Sequence, residues 1–422
     1  MILLPLLQKV DPTITYYSTQ THIIQTSAEG LVIETNSDKV KHLFVKYVQA
    51  DKYKHKQWID LRRTLSYTRN EVRFYNEILP LLKSALGHSW GIAPQVHLAE
   101  YNLEDLFSSE ETATAYHQPI YNDKEYSVLN NKYGAIVMEN LNLSRPQMAY
   151  QQNPLEPRMI LNCLKGLAKF HASAYQHPSL LLKISDRLNT HGGSFHLQNR
   201  NPNELKHLES TWSTFCTNMK SHAPSGFFDR QSISSLGTRM YKMAEHISVQ
   251  LSPSPNDQFA TVIHGDAKAM NIFLFQDDEN HSNTNDCIHL PVFIDFASAG
   301  VGLGMSDVAM HITHALDPTD YPLEDELVSK YIESFREEIP QEVQHLYSDD
   351  IAKKQYRYAF VDYFRFILGR QWKGATMDVF QQREHDLNFA MVNRSFKAAL
   401  LFIEKADAFL QEIEYEVNLS SL

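Results

Sequence analysis

The sequence predicts an α+β fold in two lobes, β-rich at the N-terminus and mainly helical at the C-terminus. Three observations predict it. β-branched runs broken by turn residues dominate up to about Asn142. Long apolar patterns of helical period dominate after it. Between the helical stretches, VIHGDAKAMNIFLF (262–275) reads as two short buried strands interrupted by a polar patch. Segregation of this kind places the expected site in a cleft between lobes, at 1–142 and 143–422.

In chain order, MILLPLLQKV is apolar but too short to span a bilayer, and it lacks the basic start of a signal peptide. THIIQTSAEGLVIETNSDKVKHLFVKYV holds three strands of an antiparallel meander. In the third, Lys46 shares a face with Phe44 and Val48, where by itself it reads equally well as a strand-end lysine reaching water. TRNEVRFYNEILPLL predicts a helix over Thr68–Leu82, with Val72, Tyr75, Ile78, Leu79 and Leu82 inward and Glu71 in its first turns. GIAPQVHLAEYN and YGAIVMENLNLS are two more strands.

Glu156–Tyr175 predicts a long helix whose His171 reads as a core histidine. A polar middle follows it. In VFIDFASAGVGLGMSD, Asp295 ends a buried strand, and GVGLG reads as a tight connection because it lacks the context of a dinucleotide fingerprint. MSDVAMHITHAL opens a helix that Ser306 or Asp307 could cap. FQDDENHSNTNDCIHLP is a solvated hairpin tip. In DYFRFILGRQW the apolar residues read as core, while Trp372 and Asp362 are candidates to face the cleft.

The 422 residues carry 43% hydrophobic and 21% charged side chains, ordinary for a globular protein. A net charge of −11 with no basic tract gives no electrostatic case for nucleic acid or for an anionic membrane surface. Cys163, Cys216 and Cys287 are far apart and odd in number, so no disulfide framework or metal motif is expected. A reducing compartment, the cytoplasm, is the expected location.

The chemistry is carried by Asp266, Asn271 and Asp295. If the two strand ends meet, three hard oxygen-bearing side chains converge, which suits Mg²⁺. A carboxylate not bound to metal can take a proton from a hydroxyl. Lys46 would supply a cation for phosphates, and Glu71 would hold it. The competing reading, in which Asp266 and Asn271 only shape a turn, leaves Asp295 unexplained.

These residues also carry a family resemblance. The order of FVK, NEVRFYNEI, APQVHLAE, IVMENL, LAKFHASAY, HGDAKAMNIF and FIDF resembles the protein-kinase-like fold in its aminoglycoside-phosphotransferase and choline-kinase branch, and within it the ecdysteroid-kinase-like group. The resemblance implies ATP and Mg²⁺ as cofactors and a phosphotransferase that acts on a small-molecule alcohol. By position it implies Asp266 as catalytic base, Asn271 and Asp295 as metal ligands, and Lys46 with Glu71 at the donor phosphates. It implies Glu139, Asn140 and Leu141 as the adenine-contacting segment, and His264 and Asp307 as braces beneath the loop.

One departure is the phosphate turn QTSAEGLV, where Ser27 and Gly30 stand in place of a glycine-rich loop. Only eleven residues separate Asp295 from Asp307 and no APE follows, which argues against a protein substrate. A bulky alcohol and a cationic acceptor both suit the chain. Two alternatives stand beside this reading: a catalytically silent kinase-like binding protein, and a metal-dependent hydrolase built on His264, Asp266 and Asp295. Nothing in the sequence addresses the oligomeric state.

Overall fold

A computed structural model of the chain describes residues 3–24, 28–53, 56, 58–86, 91–103, 129–143, 148–276 and 291–420. The chain divides into two compact units. The first comprises Met1–Tyr150, Phe273–Cys287 and Val292–Ala297; the second comprises Gln151–Ile272, Ile288–Pro291 and Ser298–Leu422. Strands are concentrated in the first and helices in the second, so the architecture is the α+β one that the sequence predicts.

The first unit begins with helix α1 (Leu3–Val10). A five-stranded antiparallel sheet follows, made of β1 (Tyr17–Ile24), β2 (Glu29–Thr35), β3 (His42–Gln49), β4 (Val96–Asn102) and β5 (Tyr133–Glu139), in the order β1-β2-β3-β5-β4. The period-2 pattern sorts its faces. Leu31, Ile33, Leu43, Val45 and Val137 pack with Leu3, Leu6 and Leu7 of α1, whose spacing puts the three leucines on one helical face. The apolar run at the start of the chain is therefore a cap on the sheet. On the other side of β3, Val48 packs with Leu61 and Leu65 of the next helix.

That helix is longer than its apolar pattern predicts. It runs as α2 (Trp58–Arg73), a π-helical turn (Phe74–Ile78) and α3 (Leu79–Leu86), so Glu71 stands near the end of α2 and not in its first turns. Among the described side chains of the upstream half, Leu61 and Leu65 are the deeply buried aliphatic ones, a sparser signal than the downstream half gives. The π turn has a use. It buries both Phe74 and Tyr75 against Phe296, the first stacked at 4.0 Å and 9°, the second edge-on at 5.8 Å and 82°. The unit is completed by a small sheet ordered β6-β8-β9, made of β6 (Met148–Tyr150), β8 (Ile272–Gln276) and β9 (Val292–Phe293). The polar tip expected between β8 and β9 lies mostly outside the described residues.

The second unit is built from α4 (Pro157–Ala172), α5 (Pro178–Arg187), α6 (Leu208–Met219), α7 (Leu236–Gln250), α8 (Met305–Ala315), α9 (Glu324–Glu338), α10 (Asp349–Phe366) and α11 (Phe396–Ser420), with shorter turns between them. A two-stranded ladder pairs β7 (Thr261–Ile263) with β10 (Gly300–Gly302). The glycine run is thus a strand and not merely a connection. The reason is steric: a Cβ on Gly300 would meet the Asn189 carbonyl oxygen at 2.8 Å, and one on Gly302 would meet Ile263 at 2.6 Å. All eleven residues of α8 are buried, and α8 packs against α10. Among the described residues no helix is long and apolar enough to cross a membrane. Cys163 and Cys216 are free thiols.

Buried histidines couple this unit to pH. Burial, then the charges of His191 and Arg365, push His196 down to about 3. Burial, then the Lys268 charge, pushes His314 to about 3, and burial pushes His311 to about 4. All three histidines are neutral in the folded chain, whereas in the unfolded chain they titrate near 6.5. Below that value the unfolded state binds protons that the folded state refuses. Stability present at neutral pH is therefore lost as pH falls from about 6.5 towards the folded values. The expected loss near pH 5 is roughly 2 kcal/mol per histidine, read as a fall in the denaturant midpoint. A midpoint unchanged between about pH 7 and about pH 5 would contradict this burial.

Candidate active site

In the first unit, the β3 alternation turns Lys46 to the α2 side, opposite Gly30 on β2 and Ile136 on β5. Its Nζ donates to Glu71 Oε2 at 2.7 Å and to Asp295 Oδ1 at 2.8 Å. One ammonium thus bridges two carboxylates far apart in sequence. Burial alone would lower the Lys46 pKa, but the charges of Asp295 and Glu71 overcome it and hold it above the ordinary lysine value. Burial pushes Glu71 up to about 7 against the opposing Lys46 charge. Asp295 is held in left-handed backbone at φ 64, a conformation Asp tolerates better than most residues. Its neighbours fix it there: Phe296 sits between Phe74 and Tyr75, and Asn70 Nδ2 donates to the Ala297 carbonyl at 2.9 Å.

In the second unit, β7 ends at Ile263, His264 follows, and the chain turns at Gly265, which has φ 78. A Cβ at Gly265 would meet the Ser298 carbonyl oxygen at 2.2 Å, so only glycine fits this turn. Asp266 follows. Asn271 Nδ2 donates to its Oδ2 at 3.0 Å and to its carbonyl oxygen at 2.9 Å, closing the loop on itself. Ser194 Oγ donates to Asp266 Oδ1 at 3.0 Å.

Beneath the loop, Asp307 on α8 is fully buried. It accepts from the amides of His264 (2.6 Å) and Gly265 (2.8 Å) and lies 3.1 Å from His171 Nε2. Burial would raise the Asp307 carboxyl, but these hydrogen bonds and the neighbouring histidine charges hold it below the usual carboxylate range. Its carboxylate is spent on the loop. The N-terminus of α8 has no side-chain cap, and neither Ser306 nor Asp307 supplies one. His171 also bonds Tyr331 Oη at 2.7 Å, which makes it a hydrogen-bonded core histidine. One and two turns further along α8, His311 Nδ1 meets the Ala267 carbonyl at 2.9 Å and His314 Nδ1 lies 3.4 Å from the Ala269 amide.

The site residues chosen from sequence thus form two groups, Lys46, Glu71 and Asp295 in the first unit and His264, Asp266, Asn271 and Asp307 in the second. In the segment that the sequence resemblance expects to contact adenine, the Glu139 amide donates to the Gln95 carbonyl at 2.9 Å and the Asn140 amide to the His42 carbonyl at 3.3 Å. Leu141 follows, nearly buried. Ser27 lies outside the described residues. Trp372 and Asp362 do not line a cleft. Trp372 is fully buried and stacks on Phe215 at 4.5 Å and 12°, since a large apolar ring gains most in a dry aromatic core. Asp362 is buried against Arg365 Nε at 2.6 Å. Among the described residues, no three His, Cys, Asp or Glu side chains are grouped to hold a metal ion, so the hydrolase reading finds no ligand set there.

Sequence reading passed over Ser194 because it sits in the polar middle, without periodicity. The signal was the glycine pair in THGGSF, which marks a close backbone approach.

Comparison with known proteins adds the following. The model of a family described as ecdysteroid kinase-like matches residues 16–342. No match was found among curated proteins. Among solved structures, the chain is similar to a microcompartment-associated aminopropanol kinase, at 11% identity over 98% of each chain and a TM-score of 0.48. It is also similar to a spectinomycin phosphotransferase in complex with ADP and spectinomycin, at 14% identity over 97% of this chain and 98% of that one and a TM-score of 0.45. A choline kinase from Streptococcus pneumoniae aligns at 11% identity over 97% and 98%, with a TM-score of 0.40.

Proposed function

The chain belongs to the ecdysteroid kinase-like family, and from that premise we propose that it transfers the γ-phosphate of ATP to a hydroxyl of a small molecule. The observation that carries this reading is Lys46 held between Glu71 and Asp295 at 2.7 and 2.8 Å. A half-buried lysine fixed by two carboxylates is positioned to meet phosphate oxygens. In the second unit, Asp266 takes the acceptor's proton as the acceptor oxygen bonds to Pγ. The bond from Pγ to the β–γ bridging oxygen breaks, and ADP leaves with that electron pair. In the adenine-contacting segment the Glu139 and Asn140 amides are engaged, so the Leu141 amide is the donor assigned to the base.

The donor chemistry fits magnesium. In the second unit the Asn271 amide nitrogen is committed to Asp266, so its oxygen is the atom left for a cation; in the first unit Asp295 offers a carboxylate of the kind magnesium takes. When bound, the ion would neutralise charge on the phosphates. Asp307 keeps the His264–Gly265 backbone in place, so that Asp266 is presented without reorganisation.

The acceptor is assigned as a small alcohol because eleven residues between Asp295 and Asp307 leave no room for a protein-docking segment. A thermal-shift scan with ATP and Mg²⁺ comes first: wild type is expected to be stabilised, and Lys46→Ala is expected to lose the shift. No shift in wild type would favour the silent binding protein. An ATP-consumption screen over sterols, amino alcohols, aminoglycosides and sugars, with Asp266→Ala as the blank, then identifies the acceptor class.

A further inference from the structure

The polar stretch between α5 and α6 presses against the loop that carries Asp266. Its residues 191–200 form a strap with little freedom. The Gly192 amide donates to the Val301 carbonyl at 2.8 Å and the Gly193 amide to the Ser298 carbonyl at 3.0 Å. The Ser194 amide donates to the Gly265 carbonyl at 2.7 Å. From its other side, Arg200 Nη1 donates to the Ser194 carbonyl at 3.2 Å, and Arg200 is itself paired with Glu204 at 2.6 Å. Arg365 Nη2 donates to the Phe195 carbonyl at 2.5 Å. Gly192 and Gly193 make the approach possible: a Cβ on Gly192 would meet Ile263 at 2.6 Å, and Gly193 has φ 112.

All this anchoring delivers one side chain to the site. Ser194 Oγ reaches Asp266 Oδ1 at 3.0 Å from 72 residues away in sequence. Asn271 holds the other carboxylate oxygen at 3.0 Å. Two donors, one on each oxygen, fix the rotation of the carboxylate about its last bond. A carboxylate has about four acceptor positions, so each oxygen keeps one for an incoming proton. A serine that only shaped its own turn would bond within a few residues.

Building on the phosphotransferase reading, we infer that Ser194 is a positioning residue that orients the Asp266 carboxylate towards the acceptor hydroxyl. Its hydroxyl contributes a charge-assisted hydrogen bond and takes no proton in the reaction. Loss of that bond leaves the carboxylate free to rotate, which lowers the fraction of bound acceptors that meet it in line.

The test uses full-length wild type, Ser194→Ala, Ser194→Thr and Asp266→Ala. The first probe is hydrolysis of Mg²⁺-ATP with water as acceptor; the second is transfer to the best alcohol of the screen. Ser194→Ala is expected to lower kcat roughly 10-fold or more in both, with KM for ATP and the melting temperature unchanged. Ser194→Thr, which keeps the hydroxyl, is expected to restore at least half of the rate. Full activity in Ser194→Ala, beside an inactive Asp266→Ala, overturns the inference and leaves the phosphotransferase reading standing. Equal losses in the Ala and Thr variants with lowered melting temperatures also overturn it, because the serine then serves only packing. Wild type no faster than Asp266→Ala removes the phosphotransferase reading, and the role of Ser194 with it.

Discussion

Asp266→Ala is expected to lower turnover by on the order of 10²–10⁴ while leaving the fold intact. The side chain is partly exposed and its bonds come from Asn271 and Ser194, so truncation strands no buried charge. Asn271 keeps its bond to the Asp266 backbone carbonyl, and the half-buried Ser194 hydroxyl can turn to water. Rate falls because a base that is lost takes proton transfer and orientation with it. Steady-state kinetics with the identified alcohol, beside circular dichroism, checks both halves. A variant with wild-type kcat would remove Asp266 from the chemistry.

Asp307→Ala is expected to cost about 3–5 kcal/mol of stability, the range for stranding partners of a buried charge. Asp307 is fully buried, and its carboxylate satisfies two backbone amides and faces His171. Truncation removes the Asp307 acceptors from the His264 and Gly265 amides in a buried site. The loop should loosen locally, so activity should fall further than the shift in denaturant midpoint implies. Asp307→Asn separates the two effects. It keeps the size and one acceptor oxygen, so it should recover part of the stability. A midpoint within about 0.5 kcal/mol of wild type for Asp307→Ala would mean that the brace carries no strain-bearing role.

Much of the architecture could be read from local pattern. The alternation in HLFVKYV sends Lys46 to one face of a strand, and that choice depends only on a period of two. The sudden stop of two apolar runs around HGDAKAMN marks a loop between strands, and β7 and β8 flank it as expected. Helix boundaries were harder. The π turn at Phe74 packs on Phe296, more than 200 residues downstream, and no window of neighbouring residues contains that information. GVGLG reads in sequence as a tight connection, whereas Gly300–Gly302 form a strand that packs too closely for side chains. The Asn189 carbonyl and Ile263 occupy the space where side chains would stand.

By itself, then, the sequence determined which residues have the chemistry for phosphate, metal and proton, because those properties belong to side-chain types and to short spacings such as HGDAKAMN. Tertiary structure alone decided how those residues are held. Lys46 meets both Glu71 and Asp295, Asp307 serves the loop and not its own helix end, and Trp372 belongs to the core. Ser194 joins Asp266 through a strap anchored on both sides. The physical reason is that a buried polar group must find its partner wherever the packed chain brings one, and distance along the sequence places no limit on that search.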